Sequence, residues 1–274
     1  MKQIRLIALD LDGTVFNDQK EITPRTLAAI QAALQKGVAV LPATGRTVTG
    51  VPTQFTDIPG VRYALTSNGA SVVDLQTHEK LVNLPFEASL AERAYDVVAP
   101  FGGILSIFID GQSYTTRANA QTSLEMVPAN LRKYFRTSRI EVEDMHRTLQ
   151  DHKDEIEKFS MMYATEEIRD RAWQAVMQAC PEVEITSSLE RNMELNAPGV
   201  SKGPGLMALA KRLGLTREEV MAVGDSGNDH TMVEMAGLGV AMENATEEIK
   251  AVADVITADN NHDGVALAIE KYVL

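Results

Sequence analysis

The stretch "IALDLDGTV", Ile7 to Val15, decides the fold. It continues an apolar run that begins at Ile4 and ends abruptly in Asp10, Leu11, Asp12, Gly13 and Thr14. A nearly continuous apolar run reads as a parallel strand buried on both faces. In open α/β sheets ligands gather beyond the carboxyl ends of the strands, which is where the two acids fall. Two buried carboxylates without partners are costly, so the pair implies a cation, and an oxygen-rich site of this kind suits Mg²⁺. Gly13 lets the backbone turn tightly and approach a ligand. Thr14 adds a hydroxyl and an amide.

Outward from this strand the chain alternates. "TPRTLAAIQAALQKG" predicts a helix with Thr23 as N-cap, Pro24 in its first turn and Gly37 at its stop. Strands follow at Val38–Thr44 and Tyr63–Gly69. Near the C-terminus the rhythm returns: a helix from Gly203 to Leu213, a strand over Val220–Asp225, a helix that Gly237 can end, and a strand over Leu238–Met242. Next come a helix in "ATEEIKAVA", a short strand in "DVIT" and a last helix with Asp263 as N-cap. The expected fold class is α/β, a doubly wound, mostly parallel sheet.

The middle breaks the rhythm. From Phe86 to Leu189 hairpins, around Asp110–Gly111 and in "EITSSLERNMELNA", mix with helices and the strand "KFSMMYAT". This predicts an α+β domain, residues 86–189, inserted into a core of residues 1–85 and 190–274. "DLQTHEKLVNLP" and "LNAPGVSKG" would be the connections, with hinges near Asn83–Pro85 and Glu190–Asn196. The insert is expected to sit above Asp10. Trp173, Val176 and Met177 read as the core of the insert.

Composition narrows the class. The 274 residues include 26 Lys plus Arg and 38 Asp plus Glu, a formal net charge of −12. That balance argues against general nucleic-acid binding and against anionic membrane surfaces. The basic stretch "LRKYFRTSR", Leu131 to Arg139, reads as a solvated face. The lone Cys180 excludes an intrachain disulfide and reads as a small buried hydrophobe. With no membrane-length apolar run and no signal peptide, a cytoplasmic location is expected. His230 reads as a polar helix residue.

Other predicted strand ends also carry polar groups. "PATGRT" places Thr44, Gly45 and Arg46 there, "TSNGA" places Asn68, and "VGDSGNDHTM" places Asp225, Ser226, Asn228 and Asp229. Lys202 stands at a helix start, where backbone amides favour anions. All converge on one sheet edge.

"DLDGT", "ATGR", "GVSKG" and "GDSGND", in that order and spacing, resemble the four motifs of the haloacid dehalogenase superfamily. The long insert and the C-terminal "NATEEIKAVADVI" are similar to its Cof-like branch with a type IIB cap, including bacterial sugar-phosphatases. The resemblance implies a Mg²⁺-dependent phosphatase acting on small phosphorylated metabolites, sugar phosphates foremost. It implies Asp10 as nucleophile and Asp12 as general acid and base. Leu11, Thr44, Gly45, Arg46, Asn68, Lys202 and Asn228 would bind phosphate or substrate. Asp10, Asp12, Asp225 and Ser226 would hold the metal, and Asp229 would fix Lys202 or a metal-bound water. The cap would carry substrate choice. A phosphomutase and a non-catalytic metabolite-binding protein are the alternatives. A dehalogenase is disfavoured by Asp12 and Lys202. Oligomeric state stays open between monomer and homodimer.

Overall fold

The computed structural model describes residues 3–126, 132–188 and 191–274. Leu131, Leu189 and Glu190, used above as limits of the basic stretch and the insert, lie outside the described residues. The chain divides into two compact units: unit 1 is Met1–Gly45, Val51–Asn83 and Ser201–Leu274, and unit 2 is Arg46–Gly50 and Leu84–Val200.

Unit 1 begins with β1 (Leu6–Leu9), α1 (Pro24–Gln35), β2 (Ala39–Pro42), the single turn α2 (Thr53–Thr56), β3 (Tyr63–Thr66), β4 (Ser71–Asp74) and β5 (Lys80–Asn83). Unit 2 contributes α3 (Ala88–Val98), β6 (Ile104–Ile109), β7 (Gln112–Thr116), α4 (Arg117–Met126), α5 (Arg132–Thr137) and β8 (Arg139–Val142). It continues with α6 (Met145–Asp151), β9 (Ile156–Met162), α7 (Glu166–Ala179), β10 (Glu184–Thr186) and β11 (Asn192–Asn196). Unit 1 resumes with α8 (Lys202–Arg212), β12 (Val220–Gly224), α9 (His230–Met235), β13 (Leu238–Ala241), α10 (Glu247–Val252), β14 (Val255–Ile256) and α11 (Gly264–Tyr272).

The expected parallel sheet is present in unit 1, with strand order β14-β13-β12-β1-β2 and every pairing parallel. β1 lies between β12 and β2, and each of its four residues is buried, as its unbroken apolar run requires. Thr23 caps α1 by accepting the Thr26 N–H at 3.2 Å, with Pro24 next in line. Asp263 stands before α11 but makes no side-chain cap. Its backbone is left-handed, and its carboxylate instead accepts the Thr23 hydroxyl at 2.5 Å.

The structure differs from the sequence expectation around β3. That strand stops at Thr66 and pairs antiparallel with β4, which pairs with β5. It touches the parallel sheet through a bridge between Ala43 and Leu65. The segment expected to be a connection is thus partly a hairpin of unit 1. Asp74 builds its turn by accepting the amides of Gln76 (2.9 Å) and Thr77 (3.3 Å) while holding Arg62 at 2.8 Å.

Unit 2 is a six-stranded sheet in the order β10-β11-β9-β6-β7-β8. All neighbours are antiparallel except β7 and β8. Asp110 and Gly111, both at positive φ, turn the β6–β7 hairpin. β11 pairs with β9 and β10, so residues 192–196 are tied into this sheet and the unit extends to Val200. In α7, Ala172 and Val176 share the buried face and Cys180 follows on it. Met177, expected in the core, is instead 50% exposed, one residue round the helix. Trp173 is half-buried beneath the Arg169 guanidinium. Arg132 and Arg136 are exposed, and His230 is half-exposed beside Glu234. No helix of the described residues is long and apolar enough to cross a membrane.

Candidate active site

The site lies in unit 1, where β1 and β12 end side by side. Asp10 follows β1 directly and is 6% exposed, its N–H donating to the Val223 carbonyl at 3.0 Å. Lys202, the first residue of α8, is fully buried. Its ammonium donates to Asp10 Oδ1 at 2.6 Å and to Asp229 Oδ1 at 2.6 Å. Asp229 Oδ2 accepts the backbone N–H groups of Asp225 (2.9 Å) and Ser226 (3.0 Å), which folds the "GDSGND" segment around one carboxylate. Asp225 Oδ1 accepts the Thr14 hydroxyl at 2.6 Å.

Carboxylate oxygens of Asp10, Asp225 and Asp229 lie within 4.8 Å of one another. Two glycines allow this crowding. A Cβ on Gly13, whose φ is +93°, would stand 2.6 Å from Asp225 Oδ2, and one on Gly224 would stand 2.5 Å from Asp229 Cβ. The first signal was legible in "DLDGT"; the second needs the fold.

Electrostatics follow from the crowding. Burial, then the nearby Asp229, pushes the Asp225 carboxyl up to about 7, against the pull of the Thr14 hydroxyl. Asp10 is raised well above the usual range by burial and Asp229, although Lys202 opposes this. Burial works against the charge of Lys202, but Asp10 and Asp229 outweigh it and hold the ammonium above its ordinary range. One ammonium shared by two carboxylates, with a third beside them, cannot neutralise all three. The deficit is a cation's worth of charge. Asp229 is engaged at both oxygens, which leaves Asp10 and Asp225 as the carboxylates best placed for a hard ion. An all-oxygen donor set fits Mg²⁺.

The remaining sequence candidates distribute as follows. Asp12 is not in the carboxylate cluster. It is 33% exposed and its Oδ1 accepts the Lys20 ammonium at 2.9 Å, a partner the sequence reading missed. Leu11 is fully buried and packs in the core of unit 1. Thr44 is buried at the end of β2, its carbonyl accepting the Asn68 N–H at 3.2 Å. Asn68, at φ 56°, accepts the Asn228 amide at 3.1 Å. Ser226 donates to Asn228 Oδ1 at 3.0 Å, so its hydroxyl is engaged within the loop. Gly45 is the last residue of its segment of unit 1. Arg46 belongs to unit 2, and its guanidinium donates to the Gly50 carbonyl at 3.3 Å.

A buried acid, a buried lysine and two further carboxylates thus stand together at the carboxyl edge of a parallel sheet, where open α/β folds bind their ligands. The chain belongs to the haloacid dehalogenase-like hydrolases, whose family model matches residues 7–269. Over 271 residues it is 33% identical to the 5-amino-6-(5-phospho-D-ribitylamino)uracil phosphatase YcsE of Bacillus subtilis, covering 99% of this chain and 96% of that one. A solved haloacid dehalogenase-like hydrolase from B. subtilis superposes with a TM-score of 0.84 at 27% identity, over 97% of this chain and 99% of the other. The subclass IIB sugar phosphatase BT4131 shares the fold, with a TM-score of 0.82 at 24% identity over 98% of each chain. The protein is an enzyme of the phosphatase type.

Proposed function

We propose that this enzyme hydrolyses small phosphorylated metabolites, sugar or sugar-alcohol phosphates foremost, through a phosphoryl group carried on Asp10, with Mg²⁺ as cofactor. The observation that carries the reading is the buried Asp10 carboxylate held at 2.6 Å by Lys202 beside Asp225 and Asp229. Asp10 and Asp225, with the Asp12 backbone carbonyl, would hold Mg²⁺; when bound, the ion neutralises charge on the phosphoryl oxygens. Ser226 would buttress the loop rather than ligate.

In the first step Asp10 attacks phosphorus, the bond from phosphorus to the ester oxygen breaks, and Asp12 gives that oxygen its proton. In the second, Asp12 takes a proton from water, whose oxygen attacks phosphorus, and the bond to Asp10 breaks to release phosphate. Asp12 would leave Lys20 and take up a proton from solvent before the first step, and then turn to the leaving oxygen. Thr44, Gly45 and Asn228 would receive phosphoryl oxygens, with Leu11 presenting its backbone. Lys202 orients Asp10, and Asp229 orients Lys202. Asn68 would contact substrate or brace Asn228, and Arg46 would contribute to substrate binding. Unit 2 is the proposed seat of substrate choice. The name of the YcsE relative, whose substrate carries a phosphoribityl group, supports a phosphorylated polyol.

The test is a panel of sugar and sugar-alcohol phosphates incubated with Mg²⁺, read as inorganic phosphate. Release that stops on chelation supports the reading. Isomerised phosphoester without phosphate would make the enzyme a mutase, and no turnover on any ester would make it a binding protein.

A further inference from the structure

The turn that carries Asp12 is held on its inner side by its own backbone. The Val15 N–H reaches the Asp10 carbonyl at 3.3 Å, and the Phe16 N–H reaches the Leu11 carbonyl at 2.9 Å. Phe16 also bridges back onto Asp12. Its outer side is held from the far end of the chain. Asn260, in the loop between β14 and α11, is 9% exposed and spends both amide hydrogens on this one turn. Its Nδ2 donates to the Phe16 carbonyl at 3.1 Å and to Asp18 Oδ1 at 3.2 Å. The Asn260 N–H donates to Asn244 Oδ1 at 3.1 Å, and Asn244 Nδ2 donates to the Gly13 carbonyl at 2.9 Å. Gly13, Phe16 and Asp18 are therefore tied to Asn244 and Asn260, 231 to 244 residues away, and Asn261 adds a second hold on Asp18, accepting its N–H at 3.1 Å and donating to its Oδ2 at 3.2 Å.

We propose that Asn260, supported by Asn244, is a positioning residue that sets Asp12 relative to Asp10. This rests on the phosphatase reading above. The physical reason is the tight, glycine-dependent turn. Gly13 stands at a φ open to few residues, with Asp225 against the site of its missing Cβ, so the turn cannot shift toward β12. Holding the Gly13 and Phe16 carbonyls from outside prevents the opposite shift. A buried amide with both hydrogens committed is a stiff restraint, because an unmade bond there carries a desolvation cost. Asparagine suits the task, since a single planar amide reaches two acceptors two residues apart. Asn260 touches neither the carboxylate cluster nor Lys202 among the described contacts, so its effect must pass through the turn.

The experiment compares Asn260→Asp, Asn260→Ala and Asn244→Ala with His262→Ala, an exposed neighbour on the same loop whose ring bonds Asp259 and not the turn. Asn260→Asp keeps the shape, loses the donors and sets a carboxylate beside Asp18, so thermal melts of every variant first establish that it folds. The expected result is a kcat about tenfold or more below wild type in the Asn260 variants at saturating Mg²⁺, with KM changed less than about threefold. Asn244→Ala is expected to fall between these and His262→Ala, which should stay within about twofold of wild type. A second readout needs no turnover: amide hydrogen exchange over residues 11–16 should accelerate in the Asn260 variants and not in His262→Ala. A kcat within about twofold of wild type in both Asn260 variants overturns the proposal, and so does unchanged exchange over residues 11–16. If the wild-type enzyme releases no phosphate from any ester, the phosphatase reading falls and the exchange measurement alone decides the clamp.

Discussion

Among the described residues each unit buries one lysine completely or nearly so, and the two keep different company. In unit 2, Lys158 is 1% exposed and meets Glu194 at 2.9 Å, with its ammonium 4.6 Å from the centre of the Phe108 ring. There the described contacts set a lysine against a carboxylate, packed on a sheet. In unit 1, Lys202 is shared between Asp10 and Asp229 with Asp225 alongside. The first arrangement is a matched pair. The second has an excess of buried negative charge and raised carboxyl pKa values, which no fold needs for stability alone. Buried charge by itself does not mark a site; uncompensated buried charge does.

The sharpest way to break this contrast is at Asp10, the proposed nucleophile. Asp10→Asn should lower kcat by at least about 10³-fold while the protein stays folded, because the amide keeps the shape and loses the nucleophile. It should also raise the thermal midpoint of the metal-free protein by relieving repulsion. Turnover near wild type would remove Asp10 from the chemistry.

The matched pair should behave oppositely. Lys158→Met strands Glu194 and should cost about 3–5 kcal/mol in denaturant unfolding, whereas Lys158→Met with Glu194→Leu should recover most of that loss. If the double variant is no better than the single one, the pair is not a simple charge balance.

A smaller effect is the pH dependence of the metal-free protein. The Asp225 carboxyl rises from an unfolded value of 3.8 to about 7 in the folded protein. A carboxyl raised on folding contributes stability that is present below its unfolded value and lost as pH climbs through its folded value. The chelated enzyme should therefore lose stability between about pH 4 and 7 relative to Asp225→Asn, and Mg²⁺ should restore it at the upper end. Thermal melts at several pH values, with and without Mg²⁺, check this. A flat difference between the two proteins would place Asp225 outside the strained cluster.

The parallel half of unit 1 was legible because each strand, turn and helix there announces itself locally. The apolar run of β1, the cap at Thr23 and the acids after Leu9 each have a short-range cause. β8 and the β4–β5 hairpin were not legible. Their residues are mixed in polarity, and such strands form only because a neighbour offers a backbone edge. The same division runs through the site. Asp10, Lys202, Asp225 and Asp229 could be named from three short motifs. That Lys202 bonds Asp10 across 192 residues, and Asp229 at the same time, is a fact of the sheet.

The sequence determined which chemical groups stand at the ends of β1 and β12, because residue type and strand polarity are local properties. Only the tertiary structure decided their partners. It turned Asp12 toward Lys20, which holds its carboxylate from a left-handed backbone position at φ 62°. It placed Arg46 with unit 2 and brought Asn260 against Phe16. Hydrogen bonds act over about 3 Å, and separation along a chain says nothing about separation in space until the sheet order is fixed.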